Sequence, residues 1–280
     1  MRVLIGSEAL SAGVLSRHDL TAVYRRLLPD VYAPKSATLT LDDRIAAAWL
    51  WSKRQGVFTG VSASALHGSK WIGDQMRIEM NLGHNKSPGG VITRRDTLLS
   101  DEVVRVGAMA LTSVERTAFD LARRESVAKA VERLDALARA TNFKVDDVLT
   151  VADRHPRVRG RRRVPGVLAL VDAGAQSPKE TWLRLLLINA GFPRPQTQIP
   201  VSAPDGYALY YLDMGWEEFR VTAEYDGQQH RVDPIQYRHD VQRSEYIVAR
   251  GWRRIAVLAG DRAPDIVRRV EQAGVPRNSH

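Results

Sequence analysis

Apolar and polar positions alternate with period two in two neighbouring stretches of the C-terminal third, the mark of half-buried strands. In the first, Leu209, Tyr211 and Asp213 share one face. In the second, Val221, Ala223 and Tyr225 share one face, and Asp226-Gly227 supplies a turn signal at its end. The link from Met214 to Phe219 is long enough to reverse the chain, so the two strands can lie side by side. Tyr237, Val241, Tyr246 and Val248 then follow mostly helical spacing up to Gly251, and Arg253 to Leu258 reads as a further strand. Upstream, Ser177-Pro178 opens a helix over Lys179 to Ala190 with Trp182, Leu185, Leu186 and Asn189 inward.

Short helices dominate the N-terminal end. Ser7 caps a helix through Glu8, Ala9 and Leu10 that Gly13 ends. Ser16 caps a second one carrying Leu20, Val23, Tyr24 and Leu27, and Pro29-Asp30 turns the chain into a strand at Val31-Tyr32-Ala33. The middle of the chain mixes both periods. Helices are expected from Asp42 or Asp43 through Trp51, over Ser62 to Leu66, from the capping-box spacing Thr112 to Glu115 through Leu121, and over Ser126 to Ala140. Strands are expected over Met76 to Leu82, Val91 to Arg94 and Val103 to Val106. His67, Glu79 and His84 lack the second signal that a metal site would need.

At 280 residues and 44% hydrophobic content the chain can bury sizeable cores and divides into roughly two domains. Cys is absent, which excludes disulfides and thiolate metal sites. No run of about 18 apolar residues exists, so no membrane partner is expected and the default location is cytoplasmic. A net charge of +9 favours a polyanionic partner, most simply DNA. The charge concentrates in HPRVRGRRRV, His155 to Val164, where Arg157, Arg159, Arg161, Arg162 and Arg163 have no apolar periodicity around them. That segment reads as a basic linker, either an electrostatic clamp on phosphates or a solvated strap.

The unusual positions are acidic. Asp213 and Glu224 lie within otherwise apolar strands, where an unpaired charge is costly. A hard cation such as Mg²⁺ is the partner that takes several carboxylate oxygens at once. Around them stand SPKETWLRLLL with Glu180, AGFPRPQTQ, AEYDGQQH, the pair Asp240 and Arg243, and GWRRIAVL. This series, from about Gln176 to Val270, resembles the restriction-endonuclease-like, or PD-(D/E)xK, nucleases. It is more closely similar to their DUF559 branch, related to the very-short-patch-repair endonucleases.

The resemblance implies a mixed sheet flanked by helices and Mg²⁺ or Mn²⁺ held by Glu180, Asp213 and Glu224. Its catalytic set would be Asp213, Glu224, Asp226, His230, Asp240 and Arg243. Position 226 departs from the wider superfamily, which has Lys there. Asp226 could be a further ligand, with His230 supplying acid–base or water-positioning work. Asp240 and Arg243, three apart on one helix face, could orient His230 and contact phosphate, or form a surface ion pair. Glu180 could equally complement the dipole of its own helix.

The N-terminal pattern resembles the winged-helix domain of AbiEi-type antitoxins, with Leu28-Pro29-Asp30-Val31-Tyr32 at the wing and Asp where Gly is usual. It implies DNA contacts by Arg17, Arg25 and Arg26, or else a packing module that kept the shape. The expectation is thus an α/β (α+β) protein. A winged helix at 1–36 leads to a mixed α/β section at 37–155, a basic linker at 156–166 and a restriction-endonuclease-like domain at 167–280. Two functions follow: a metal-dependent DNA endonuclease, or a non-catalytic DNA-binding regulator with a cognate toxin as partner. Homodimers are compatible with either.

Overall fold

A computed structural model describes residues 2–84, 87–226 and 234–278, with the side chains of 234–237 left aside. The chain is α/β and divides into two compact units. One takes the residues up to Glu125 together with Ala140–Leu168, and the other takes Ser126–Arg139 and everything from Ala169 onward.

The first unit begins with β1 (Leu4–Ile5), α1 (Gly6–Ser11), α2 (Arg17–Ala22), β2 (Tyr24–Leu28) and β3 (Val31–Pro34). Ser16 caps α2 as expected, in a reciprocal box with Asp19. The helix nevertheless stops after Ala22, and Tyr24 to Leu28, expected as its continuation, is a strand. Tyr24, Leu27 and Leu28 keep helical spacing, and pairing with β3 overrides it in favour of the hairpin. Asp30 sits in the left-handed region (φ 60°) at the turn. It accepts from the Ser7 backbone amide at 3.0 Å and the Ser7 hydroxyl at 2.5 Å, so its charge serves the start of α1.

There follow α3 (Leu41–Trp51), β4 (Val57–Phe58), α4 (Gly60–Leu66), β5 (Ile78–Asn81), β6 (Val91–Arg94), β7 (Val103–Val106), β8 (Met109–Thr112) and α5 (Val114–Arg124). These strands form a five-stranded sheet in the order β6-β5-β4-β8-β7. Val3, Leu28, Val31 and Ala33 are buried in the same core as Ile45, Phe58, Met80 and Leu111. The boundary expected near residue 36 therefore falls inside one hydrophobic core. The cap of α5 is Ser113, since Thr112 turns its hydroxyl to Thr117.

Arg116 on α5 is fully buried. It is held by Glu102, by Asp120 at 3.3 Å, by the Thr97 carbonyl and by His155. His155 ends α7 (Val145–Arg154). The basic segment 156–166 is folded here, which corrects its reading as a linker. It makes a 3₁₀ turn at Arg161–Arg163 and enters α8 (Val164–Leu168), whose Val164, Val167 and Leu168 are buried. Gly160 (φ 86°) lets the chain press against α5, since a Cβ there would lie 2.2 Å from the Arg123 carbonyl oxygen.

The second unit contains α6 (Val127–Thr141) up to Arg139, α9 (Pro178–Asn189), β9 (Gln196–Ser202), β10 (Ala208–Trp216) and β11 (Val221–Asp226). It is completed by α10 (Pro234–Ala249), β12 (Arg253–Leu258) and α11 (Ala263–Gln272). The sheet order is β12-β11-β10-β9, antiparallel except for the parallel pair β11–β12 joined through α10. Leu183 and Leu187 of α9 and Ile266 and Val270 of α11 cover Met214, Trp216, Val221, Ala223, Ile255 and Val257. β10 runs through Trp216, and the chain reverses at Glu217 to Arg220, later than expected. Gly215 permits the close pairing, because a Cβ would meet the Val221 carbonyl oxygen at 2.4 Å. Asp135 of α6 joins this unit by a buried ion pair with Arg184 at 2.7 Å, and it accepts from Thr181 and the Asp172 amide.

Candidate functional site

The acids that stood out in the sequence come together at one place. Met214 of β10 pairs with Ala223 of β11, and the next residue on each strand is Asp213 and Glu224. They therefore sit opposite one another on the face away from the Met214–Ala223 core. On the neighbouring β12, Arg254 pairs with Thr222, two residues from Glu224, and so shares that face. Arg243 reaches it from α10.

Glu224 is buried and held by two guanidinium groups. Arg243 forks onto both of its oxygens, at 2.7 and 3.0 Å, and also donates to the Tyr211 carbonyl at 2.9 Å. Arg254 donates through Nε to Oε2 at 2.5 Å. Asp213 has no ion pair among the described residues. Burial, then the charges of Glu224 and Glu180, push its carboxyl up to about 7, against the pull of Arg243 and a backbone hydrogen bond at Tyr225. An acid so perturbed beside a specific charge partner is a functional-site candidate on physical grounds.

The remaining expected residues divide. Glu180, at the start of α9, accepts from the Gln176 amide at 2.8 Å and the Ser177 hydroxyl at 2.9 Å. Both of its oxygens thus cap its own helix, and it acts on Asp213 through its charge. Asp226 is partly exposed, 3.8 Å from Arg254. Asp240 is exposed on α10, and the ion pair of Arg243 is with Glu224, so the Asp240–Arg243 surface pair is not formed. His230 lies outside the described residues. Trp216 donates to the Pro193 carbonyl from within the core, and Trp252 is likewise buried. Tyr225 is half-buried, edge-on to Trp182 with Lys179 over its ring.

Arg254 was missed in the sequence. An arginine inside a strand needs explaining as much as a strand acid does, and that signal was present in GWRRIAVL.

Among the described residues, no three His, Asp or Glu side chains are gathered closely enough to hold a metal ion. His67 turns to the Thr112 carbonyl, Glu79 pairs with Arg94, and His84 lies edge-on to Trp51, so these three make no site. The fit of the Asp213–Glu224 pair to a divalent cation rests on two donors. Mg²⁺ commonly takes one or two carboxylates and completes its shell with waters and substrate phosphate, so the pair suffices chemically. Asp213, an acid beside acids and without an ion pair among the described residues, fits that role.

Of the arginines expected to touch DNA, Arg17 is exposed on the first turn of α2, and Arg25 and Arg26 are exposed on β2 of the hairpin. Arg25 donates to the Ala37 carbonyl. In the 156–166 segment, Arg161 is engaged by the Ala152 carbonyl and Asp153. Arg157, Arg159, Arg162 and Arg163 have no side-chain partner among the described residues.

No family model matches the chain. It is 26% identical over 157 residues to two uncharacterized proteins of Mycobacterium tuberculosis, MT2308 of strain CDC 1551 and Rv2248 of strain H37Rv. The match covers 56% of this chain and 58% of each relative, less than two thirds of their length. No helix among the described residues is long and apolar enough to cross a membrane.

Proposed function

We propose that the chain is a metal-dependent phosphodiester hydrolase acting on DNA, with its site at Asp213 and Glu224. The observation that carries this reading is Asp213: a strand acid set against a second acid, its carboxyl pushed up to about 7, with no ion pair among the described residues. The order of elements in the second unit, a helix, three antiparallel strands, a helix and a parallel strand, is compatible with the nuclease resemblance. Asp213 and Glu224 would hold Mg²⁺ or Mn²⁺. The chemistry such a cation supplies is activation of a bound water and neutralisation of charge on the phosphate. Arg243, fixed by Tyr211, orients Glu224 and adds positive charge where a phosphate would approach. The exposed arginines of the first unit add sequence-independent attraction for the backbone.

Pure protein incubated with supercoiled and linear DNA tests this. Nicking or cutting is expected with Mg²⁺ or Mn²⁺ and not with EDTA, and Asp213→Asn should abolish it while retaining DNA binding. DNA that stays intact under every metal condition refutes the enzyme.

One observation favours a second reading, a non-catalytic DNA-binding regulator such as an AbiEi-type antitoxin. Glu224 already has two arginine partners, and a carboxylate so compensated can serve the fold alone. Intact DNA together with salt-sensitive binding would establish that reading.

A further inference from the structure

Two guanidinium groups share one carboxylate at Glu224, and they are not held alike. Among the described residues Arg243 makes three hydrogen bonds, two to Glu224 and one to the Tyr211 carbonyl, and this last anchor does not depend on the acid. Among the described residues Arg254 makes one, from Nε to Oε2. Its Nη2 lies 3.8 Å from Asp226, beyond hydrogen-bond range, and its side chain is 23% exposed. Part of the Arg254 fork is therefore unspent. A guanidinium with spare donors suits the paired oxygens of a phosphate better than a single carboxylate oxygen already shared with another arginine. Its charge on Oε2 also opposes the binding of a cation by Glu224 beside Asp213.

We propose that Arg254 is an exchangeable guanidinium, a positioning residue that leaves Glu224 for a DNA phosphate and so removes one of the two positive charges a divalent cation must meet there, Oε2 then keeping only its bond from Arg243 at 3.0 Å. This rests on the reading of Asp213 and Glu224 as the cation site. Arg243 stays, held by Tyr211. Phosphate and cation then bind with positive coupling: either one removes the obstacle to the other, and linkage makes the effect reciprocal. Without DNA, Arg254 competes with the cation for Glu224. With DNA, its charge moves onto the phosphate.

The test is titration of the full chain with Mn²⁺, followed by the electron paramagnetic resonance signal of free Mn²⁺. It is done alone and with a short phosphorothioate duplex that resists cutting. Wild type is expected to bind Mn²⁺ about tenfold more tightly with the duplex. Arg254→Ala should bind Mn²⁺ more tightly than wild type without DNA, and the gain from the duplex should shrink to about twofold or less. Arg254→Lys should restore part of the coupling, which a purely structural role would not require. Should Arg254→Ala fail to fold by circular dichroism, Arg254→Gln keeps the stem and takes its place. Asp213-dependent Mn²⁺ binding that Arg254 variants do not alter overturns the exchange and leaves the nuclease reading standing. Absence of Mn²⁺ binding in every variant and condition overturns both.

Discussion

Asp213→Asn separates the cost of the site from its use. In the folded chain the Asp213 carboxyl is raised from 3.8 to about 7, first by burial and then by Glu224 and Glu180. The folded state thus holds this proton more tightly than the unfolded one. Between about pH 4 and pH 7 stability falls as pH rises, and above 7 the full penalty is present; below the unfolded value it vanishes. At about 1.4 kcal/mol per tenfold change in affinity for the proton, the ceiling is about 4 kcal/mol. Asp213 is partly open to solvent, and screening brings a realistic figure to about 2 kcal/mol. Asn has nearly the same shape, keeps an acceptor and carries no charge. Metal-free Asp213→Asn should therefore melt about 5 °C above metal-free wild type at pH 8, and the difference should close towards pH 4. Mg²⁺ at a hundredfold excess over Kd should return about 2.7 kcal/mol to wild type and nothing to the variant. Scanning calorimetry in EDTA and in Mg²⁺, at pH 8 and pH 4.5, reads all four quantities. A variant no more stable than wild type at pH 8 would refute the like-charge argument.

Other perturbations report on the frame around the site. Gly160→Ala forces a Cβ against the Arg123 carbonyl in a left-handed conformation, and chemical denaturation should show a loss of about 2 kcal/mol or more. Unchanged stability would mean that segment 156–166 is not packed on α5. Asp135→Ala strands the buried Arg184 and should cost about 3 to 5 kcal/mol, read in the same way. Replacing Arg157, Arg159, Arg162 and Arg163 by Ala should weaken DNA binding evenly across sequences. It should also flatten the log–log salt slope by up to about 3 to 4, measured by fluorescence anisotropy. Arg161→Ala alone should change it little, because that guanidinium is already engaged by Asp153.

The second unit was the more legible part of the chain. β10, β11 and β12 carry strong alternation bounded by turns, α9 has Ser177 before Pro178, and strand acids are conspicuous among apolar neighbours. What stayed hidden depends on tertiary partners. Tyr24 to Leu28 has helical spacing, and only pairing with β3 makes it a strand. β4 is two residues long and presents no period at all. The arginine-rich stretch looked solvated because nothing local shows that Gly160 meets the Arg123 carbonyl. Arg184 and Asp135 are 49 residues apart, and Arg254 and Glu224 are 30 apart. Each has its partner in another element, so helical or strand spacing says nothing about that partner. Arg116, fully buried in α5, has Asp120 one helical turn on, but Glu102 and His155 lie 14 and 39 residues away in the chain.

Anomalous scattering from crystals of the full chain grown with Mn²⁺ and a phosphorothioate duplex tests the cation site most directly. A Mn²⁺ peak is expected beside the Asp213 and Glu224 carboxylates, and no such peak in Asp213→Asn. Glu224 still closed by both arginines beside bound DNA, with no Mn²⁺ between the two acids, would contradict it.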